Sequence, residues 1–160
     1  MFEQESVVEK VKVVVFRLKD EEYGVEVDQV KSIERMESIT RVPNTPSFVK
    51  GVINLRGVVI PVINLRSRFQ MEEEEYTDST RIVIVHVNEM EVGLIVDAAL
   101  DVLDVPLDAI EPPPEVVGGV EAAYLRGMAK LEDRLLVLLN LDRVLSPEEL
   151  KQVEQMEINQ

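Results

Sequence analysis

At 160 residues the chain has the length of one domain, or of two very small ones sharing a core. Seventeen Lys and Arg against 31 Asp and Glu leave a net charge of −14, which repels phosphate backbones and anionic lipid and argues against nucleic-acid binding. With no cysteine there can be no disulfide, thiolate nucleophile, zinc finger or iron–sulfur cluster.

The first segment, MFEQESVVEKVKV, is charged and carries no apolar targeting run, and no later stretch approaches the roughly 20 apolar residues that span a bilayer. A cytoplasmic protein without membrane insertion is the expectation. Val14, Phe16 and Leu18 alternate with Val15, Arg17 and Lys19, a polar turn follows, and Tyr23, Val25 and Val27 then alternate with Gly24, Glu26 and Asp28. That period of two predicts a β-hairpin. A strand near residues 30 to 36, a crossing marked by Pro43 and Pro46, and the pair Val49 to Leu55 and Val58 to Ile63 complete about five strands. Five short strands read as a small barrel, since closure removes the exposed edges of an open sheet. Glu72 to Glu75 with Thr77-Asp78-Ser79 reads as a polar link, and the prolines at 112 to 114 as a connector. Ser146-Pro147-Glu148-Glu149 has the N-cap signature of a C-terminal amphipathic helix over 146–157.

The chain repeats itself. Residues 14 to 30, VVFRLKDEEYGVEVDQV, align with residues 83 to 99, VIVHVNEMEVGLIVDAA, at an offset of 69 that pairs Gly24 with Gly93 and Asp28 with Asp97. Leu55-Arg56-Gly57 recurs as Leu125-Arg126-Gly127, and Asn64-Leu65 as Asn140-Leu141. On that matching, six more residues separate the second pair of motifs than the first, and a longer hairpin loop near Lys130 to Arg134 is expected to absorb them. The chain is thus expected to form two similar subdomains, over about 12–80 and 81–145, each marginal alone. Val13 and Val15, with their counterparts Ile82 and Ile84, make both faces of the first strands apolar. Cover is therefore required from the other subdomain or from a partner.

Chemistry-bearing patterns are weak. His86 is the single histidine and falls on the face opposite Val83, Val85 and Val87. The four glutamates at 72 to 75 lack the interleaved donors and the glycine of a calcium loop, and no phosphate-cradling glycine motif occurs. Pairs such as Asp101 and Asp104 have no feature that raises them to acid–base work.

The segments GVINLRGVVIPVINLR (51 to 66), EEYGVEVDQV (21 to 30), TRVPNTPSFVKG (40 to 51) and VGLIVDAALDVL (92 to 103) together resemble the CheW family over nearly the whole chain. The resemblance implies two intertwined five-stranded SH3-like barrels that act, without cofactor or catalysis, as an adaptor in bacterial chemotaxis. It implies two partners: the cytoplasmic tips of methyl-accepting chemoreceptors, and the regulatory domain of the histidine kinase CheA, with recruitment to membrane-anchored arrays. By the same analogy the receptor is expected near Gly51, Arg56, Gly93, Ala99 and Val102, in an apolar groove between subdomains. The kinase is expected near Val30, Ser32, Asn44, Thr45 and Phe48. Some relatives carry an acidic residue where this chain has Ser32, and Glu34 on the same strand face could replace it. The competing reading is a small acidic hydrolase or ligand-binding barrel working in the inter-barrel groove.

Overall fold

The computed structural model describes residues 9–117, 120–145 and 148–149. The first hairpin is β1 (Lys10–Leu18) and β2 (Glu21–Glu26), turning at Lys19 and Asp20. A 3-10 turn at Val27–Gln29 leads into β3 (Val30–Arg35); β4 (Val49–Leu55), β5 (Val58–Asn64) and the helical turn α1 (Leu65–Arg68) follow the proline crossing. The second copy runs β6 (Arg81–Val87), β7 (Met90–Val96), β8 (Ala98–Pro106), a 3-10 turn at Leu107–Ala109, and short strands β9 (Ile110–Glu111), β10 (Val116–Val117) and β11 (Val120–Glu121). It ends with β12 (Leu125–Leu131), β13 (Arg134–Leu139) and α2 (Leu141–Val144). The helix expected over 146–157 lies outside the described residues except at 148 and 149, which are helical.

Two main sheets form, with strand orders β3-β6-β7-β5-β4 and β8-β1-β2-β13-β12-β9. Each mixes the two copies. The hairpin β6–β7 joins β3, β4 and β5 of the first copy, and β1–β2 joins β8, β9, β12 and β13 of the second. One barrel is therefore the continuous segment 30–96, while the other is assembled from both ends of the chain. Closure follows from the edge strands. After β8 the chain turns at Leu107–Ala109 and returns as β9 onto β12, the opposite edge of its sheet. In the other barrel the chain leaving β3 reaches Thr40, which bridges Val52 of β4.

The internal symmetry extends to single registers. Ala99, Asp101 and Val102 pair with Phe16, Val15 and Val14, as Val30, Ser32 and Ile33 pair with Val85, Ile84 and Val83, and both ladders carry a bulge at the same place. In the parallel ladders, Gly24 lies opposite Leu138 as Gly93 lies opposite Val62. These pairings correct the expected match of Leu-Arg-Gly. Gly127 occupies the place of Gly51, next to the register shift in each hairpin, so Arg126 corresponds to Lys50 and not to Arg56. Both hairpins turn in two residues, Arg56-Gly57 and Glu132-Asp133, and no longer loop exists there. The extra length of the second copy lies instead in the crossing that holds Pro112 to Pro114.

Strand alternation explains the cores. Val13, Val15, Val105, Ala129, Leu136 and Leu138 fill one barrel; Ile53, Leu55, Ile60, Val62, Ile82, Ile84 and Ile95 fill the other. The opposite faces of the same strands, including Val14, Phe16, Leu18, Val83, Val85 and Val87, meet in the largest cluster, between the barrels. The doubly apolar strands are thus covered within the molecule, as strands buried on both faces require.

Candidate functional site: two barrel faces and the junction between them

On the barrel of residues 30–96, β3 forms one edge of the sheet. The β4–β5 tip places Arg56 in a left-handed conformation (φ 52°) beside Gly57 (φ 87°). The Asn54 carboxamide oxygen accepts the Gly57 N–H at 2.9 Å and holds the turn. The Arg56 side chain, 72% exposed, reaches back to Glu34 on β3 at 3.1 Å. The Ser32 hydroxyl lies beside that carboxylate without meeting full hydrogen-bond geometry, and together with Arg56 it holds the Glu34 carboxyl below its ordinary range. Arg56 is thus tied to the face that carries Val30 and Ser32. Val30 is half-buried against the inter-barrel core. Asn44 is exposed at φ 63°, and the Thr45 hydroxyl donates to the Val42 carbonyl at 3.1 Å. Phe48 is buried, with the Arg68 guanidinium 4.6 Å from its ring centroid.

Ala99 and Val102 sit on β8 of the other barrel, the edge strand equivalent to β3. Val102 is 54% exposed and matches Ile33 of β3, which is 42% exposed. Leu100, the bulged residue of β8, is also exposed, whereas the bulged residue of β3 is Lys31. Gly51 and Gly93 offer no surface of their own. A side chain on Gly51 would collide with the Thr40 carbonyl that closes the barrel, and one on Gly93 would meet Ile82 Cγ2 at 2.8 Å. Ala99 and Val102 therefore share one strand, while Arg56, Gly51 and Gly93 belong to the other barrel.

The junction between barrels is polar on one side. A recess of about 210 Å³ is lined by Arg17, Arg66, Asp97 and Thr80. Asp97 accepts the Lys19 N–H at 2.8 Å, and the Arg66 guanidinium at 2.9 Å and 2.5 Å. Burial opposes its charge, but Arg66, the Lys19 N–H and Arg17 together hold the carboxyl below the ordinary range. This pairing ties the β1–β2 tip to α1, and it commits the Asp97 carboxylate to an ion pair rather than to acid–base work. Elsewhere Asp101 pairs with Arg134 and Asp104 with Lys12, and His86 is exposed on β6. The groove is thus ion-paired here rather than uniformly apolar.

The family model of the CheW-like domain matches residues 12–149. The chain belongs to the CheW family. Chemotaxis protein CheW of Bacillus subtilis is 45% identical over 137 residues, covering 86% of this chain and 88% of its own. That of Klebsiella aerogenes is 37% identical over 140 residues, covering 88% and 84%. The crystal structure of the scaffolding protein TtCheW from Thermoanaerobacter tengcongensis superimposes with a TM-score of 0.80 at 35% identity, covering 93% of this chain and 96% of that one. The chain is accordingly a chemotaxis scaffold with the CheW fold and not an enzyme, and it interacts with components of chemotaxis signalling. No helix among its described residues is long and apolar enough to cross a membrane.

No strand period or turn motif in the sequence marks Arg68. Arg68 lies between the rings of Phe48 and Tyr124, 4.6 Å and 5.0 Å from their centroids, and donates to the Val144 carbonyl at 2.5 Å and to Glu149 at 2.8 Å. Phe48 and Tyr124 occupy equivalent places, since their carbonyls accept from Asn64 and Asn140, the two N-cap residues. Arg68 thus joins the copies near their symmetry axis. The signal for it was the repeat itself, once Gly51 is matched to Gly127.

Proposed function

We propose that this chain couples methyl-accepting chemoreceptors to the histidine kinase CheA, and that it is recruited from the cytoplasm to membrane-anchored receptor arrays. The observation that carries the reading is the pair of equivalent edge strands, β3 and β8, one on each barrel, each with an exposed apolar residue at the same register. An adaptor needs two separable surfaces, and duplication with exchanged hairpins supplies one per barrel. The kinase regulatory domain docks on the β3 side, at Val30, Ser32, Asn44 and Thr45, with Phe48 beneath them fixing the crossing. The receptor tip docks on Ala99 and Val102. Gly51 and Gly93 lie on the other barrel, where they keep the strands of the β3 sheet closely packed, and Arg56 stands with the β3 face. Signal passes only if receptor states make different contacts with the scaffold, since equal affinity for both states shifts nothing.

The test is co-sedimentation with a receptor signalling fragment and with the kinase regulatory domain, separately and together. A ternary complex is expected. Mutual exclusion of the two partners, or binding of neither, removes the adaptor reading.

A further inference from the structure

Residues 29–56 are the basic part of an acidic molecule. They hold five cations, Lys31, Arg35, Arg41, Lys50 and Arg56, against Glu34 and Glu37, a balance of +3 in a chain of net charge −14. Lys31 and Arg56 are neutralised by Glu91 and Glu34. Among the described residues, Arg35 and Arg41 have no carboxylate within ion-pair distance. Arg41 and Lys50 line a cleft of about 540 Å³ between the proline crossing and the linker. Val42, Pro43 and Pro46 give it apolar and conformationally fixed walls, and Tyr76, 45% exposed, closes its linker side. At its lip Lys50 already holds a carboxylate, that of Glu73, at 2.7 Å; both side chains are part-exposed, so the pair is readily exchanged.

We propose that this cleft binds an extended acidic segment of the partner that docks on the crossing, with alternating carboxylate and apolar side chains, and that the chain's own linker at Glu73 competes for Lys50. Arg41, without an ion-pair partner among the described residues, and the exchangeable Lys50 beside apolar walls recognise that combination. A lipid or nucleic-acid surface would bring the surrounding carboxylates into contact with phosphate as well. The identity of the partner as the kinase rests on the function proposed above; the chemistry of the cleft does not.

The test uses the full chain and two fluorescent probe peptides, Glu-Leu-Glu-Val-Glu-Leu-Glu and its counterpart with Lys for every Glu, followed by anisotropy. Net charge alone predicts that the lysine peptide binds better, so the sign of the preference is diagnostic. The acidic peptide is expected to bind more tightly, to weaken about tenfold with Arg41→Glu, and to weaken as salt is raised. Glu73→Ala should tighten it by freeing Lys50, and Lys10→Glu, a charge reversal outside the cleft, should change it little. Preference for the lysine peptide, no binding of the acidic one, or indifference to Arg41→Glu overturns the proposal. So does concentration-dependent self-association of the unmodified chain that Arg41→Glu abolishes, since a second copy would then be the occupant. Failure of the kinase domain to bind the unmodified chain would strike the adaptor reading and leave the peptide result standing.

Discussion

Asp97 gathers a backbone N–H from one hairpin tip and two nitrogens of the Arg66 guanidinium, so a single carboxylate links α1 to the opposite barrel. Its pKa is lowered from 3.8 on folding. The stabilisation is therefore complete above that value and is lost as pH falls through the lower folded value. Asp97→Asn should cost about 2 kcal/mol at neutral pH, and urea midpoints of the two proteins should converge once the pH falls well below 3.8. A gap that persists unchanged at low pH would show that the charge of Asp97 is not what holds the junction. Arg56 is the opposite case. Among the described residues its one ion pair is with Glu34, and its own side chain is mostly in solvent, so Arg56→Ala should change stability by no more than about 0.5 kcal/mol while weakening one partner in co-sedimentation. Global unfolding of Arg56→Ala in calorimetry would assign it a structural duty instead. Tyr23 is a residue whose burial raises no functional claim. Loss of water, with Glu21 nearby, pushes its hydroxyl up to about 12, and its ring stacks between Phe16 and Phe69 in the inter-barrel core.

At the scale of elements, the strands were legible because their period of two survives even where both faces are apolar; β3, β4 and β5 fall within a residue or two of where alternation and prolines put them. Alternation reports that a face is buried, not against what. The ambiguity at Val13, Val15, Ile82 and Ile84 was therefore resolved only by the barrel interiors. The register of the second hairpin was misread because an identical tripeptide outweighed equal spacing: Leu-Arg-Gly is a tip in one copy and a strand start in the other. The buried placement of Gly51 was invisible for the same reason, since its closest neighbour is a backbone carbonyl from the crossing and not a side chain in any pattern. Gly51→Ala puts a methyl group against that carbonyl at φ 144°, and should cost about 2 kcal/mol or more, read as a lowered Tm. If Gly51 acts on the receptor only through the strand, affinity per folded molecule should stay unchanged. A loss of affinity at full folding would make Gly51 a contact residue.

The whole molecule is held together by an exchange of hairpins between its two copies, so the halves of the sequence are not the halves of the structure. A fragment of residues 1–80 would carry β3, β4 and β5 without β6 and β7, the two strands that lie between β3 and β5 in the sheet. It would also carry β1 and β2 without any of the strands that flank them. A fragment of residues 81–160 would be incomplete in the complementary way. Each would leave apolar strand faces and ladder hydrogen bonds unpaired, and a domain of that size has little other surface with which to compensate. Each fragment alone should therefore lack cooperative thermal unfolding and the far-ultraviolet signature of β structure. Mixed in equal amounts, they should recover both, because the intact chain crosses between copies through the exposed linker at 72–79, and a cut there breaks no strand. Such non-covalent reassembly should depend on protein concentration, as intramolecular closure becomes bimolecular association. Independent folding of either fragment as a monomer would mean that a barrel can close within one copy, and that the exchange seen here is not what gives the scaffold its two faces.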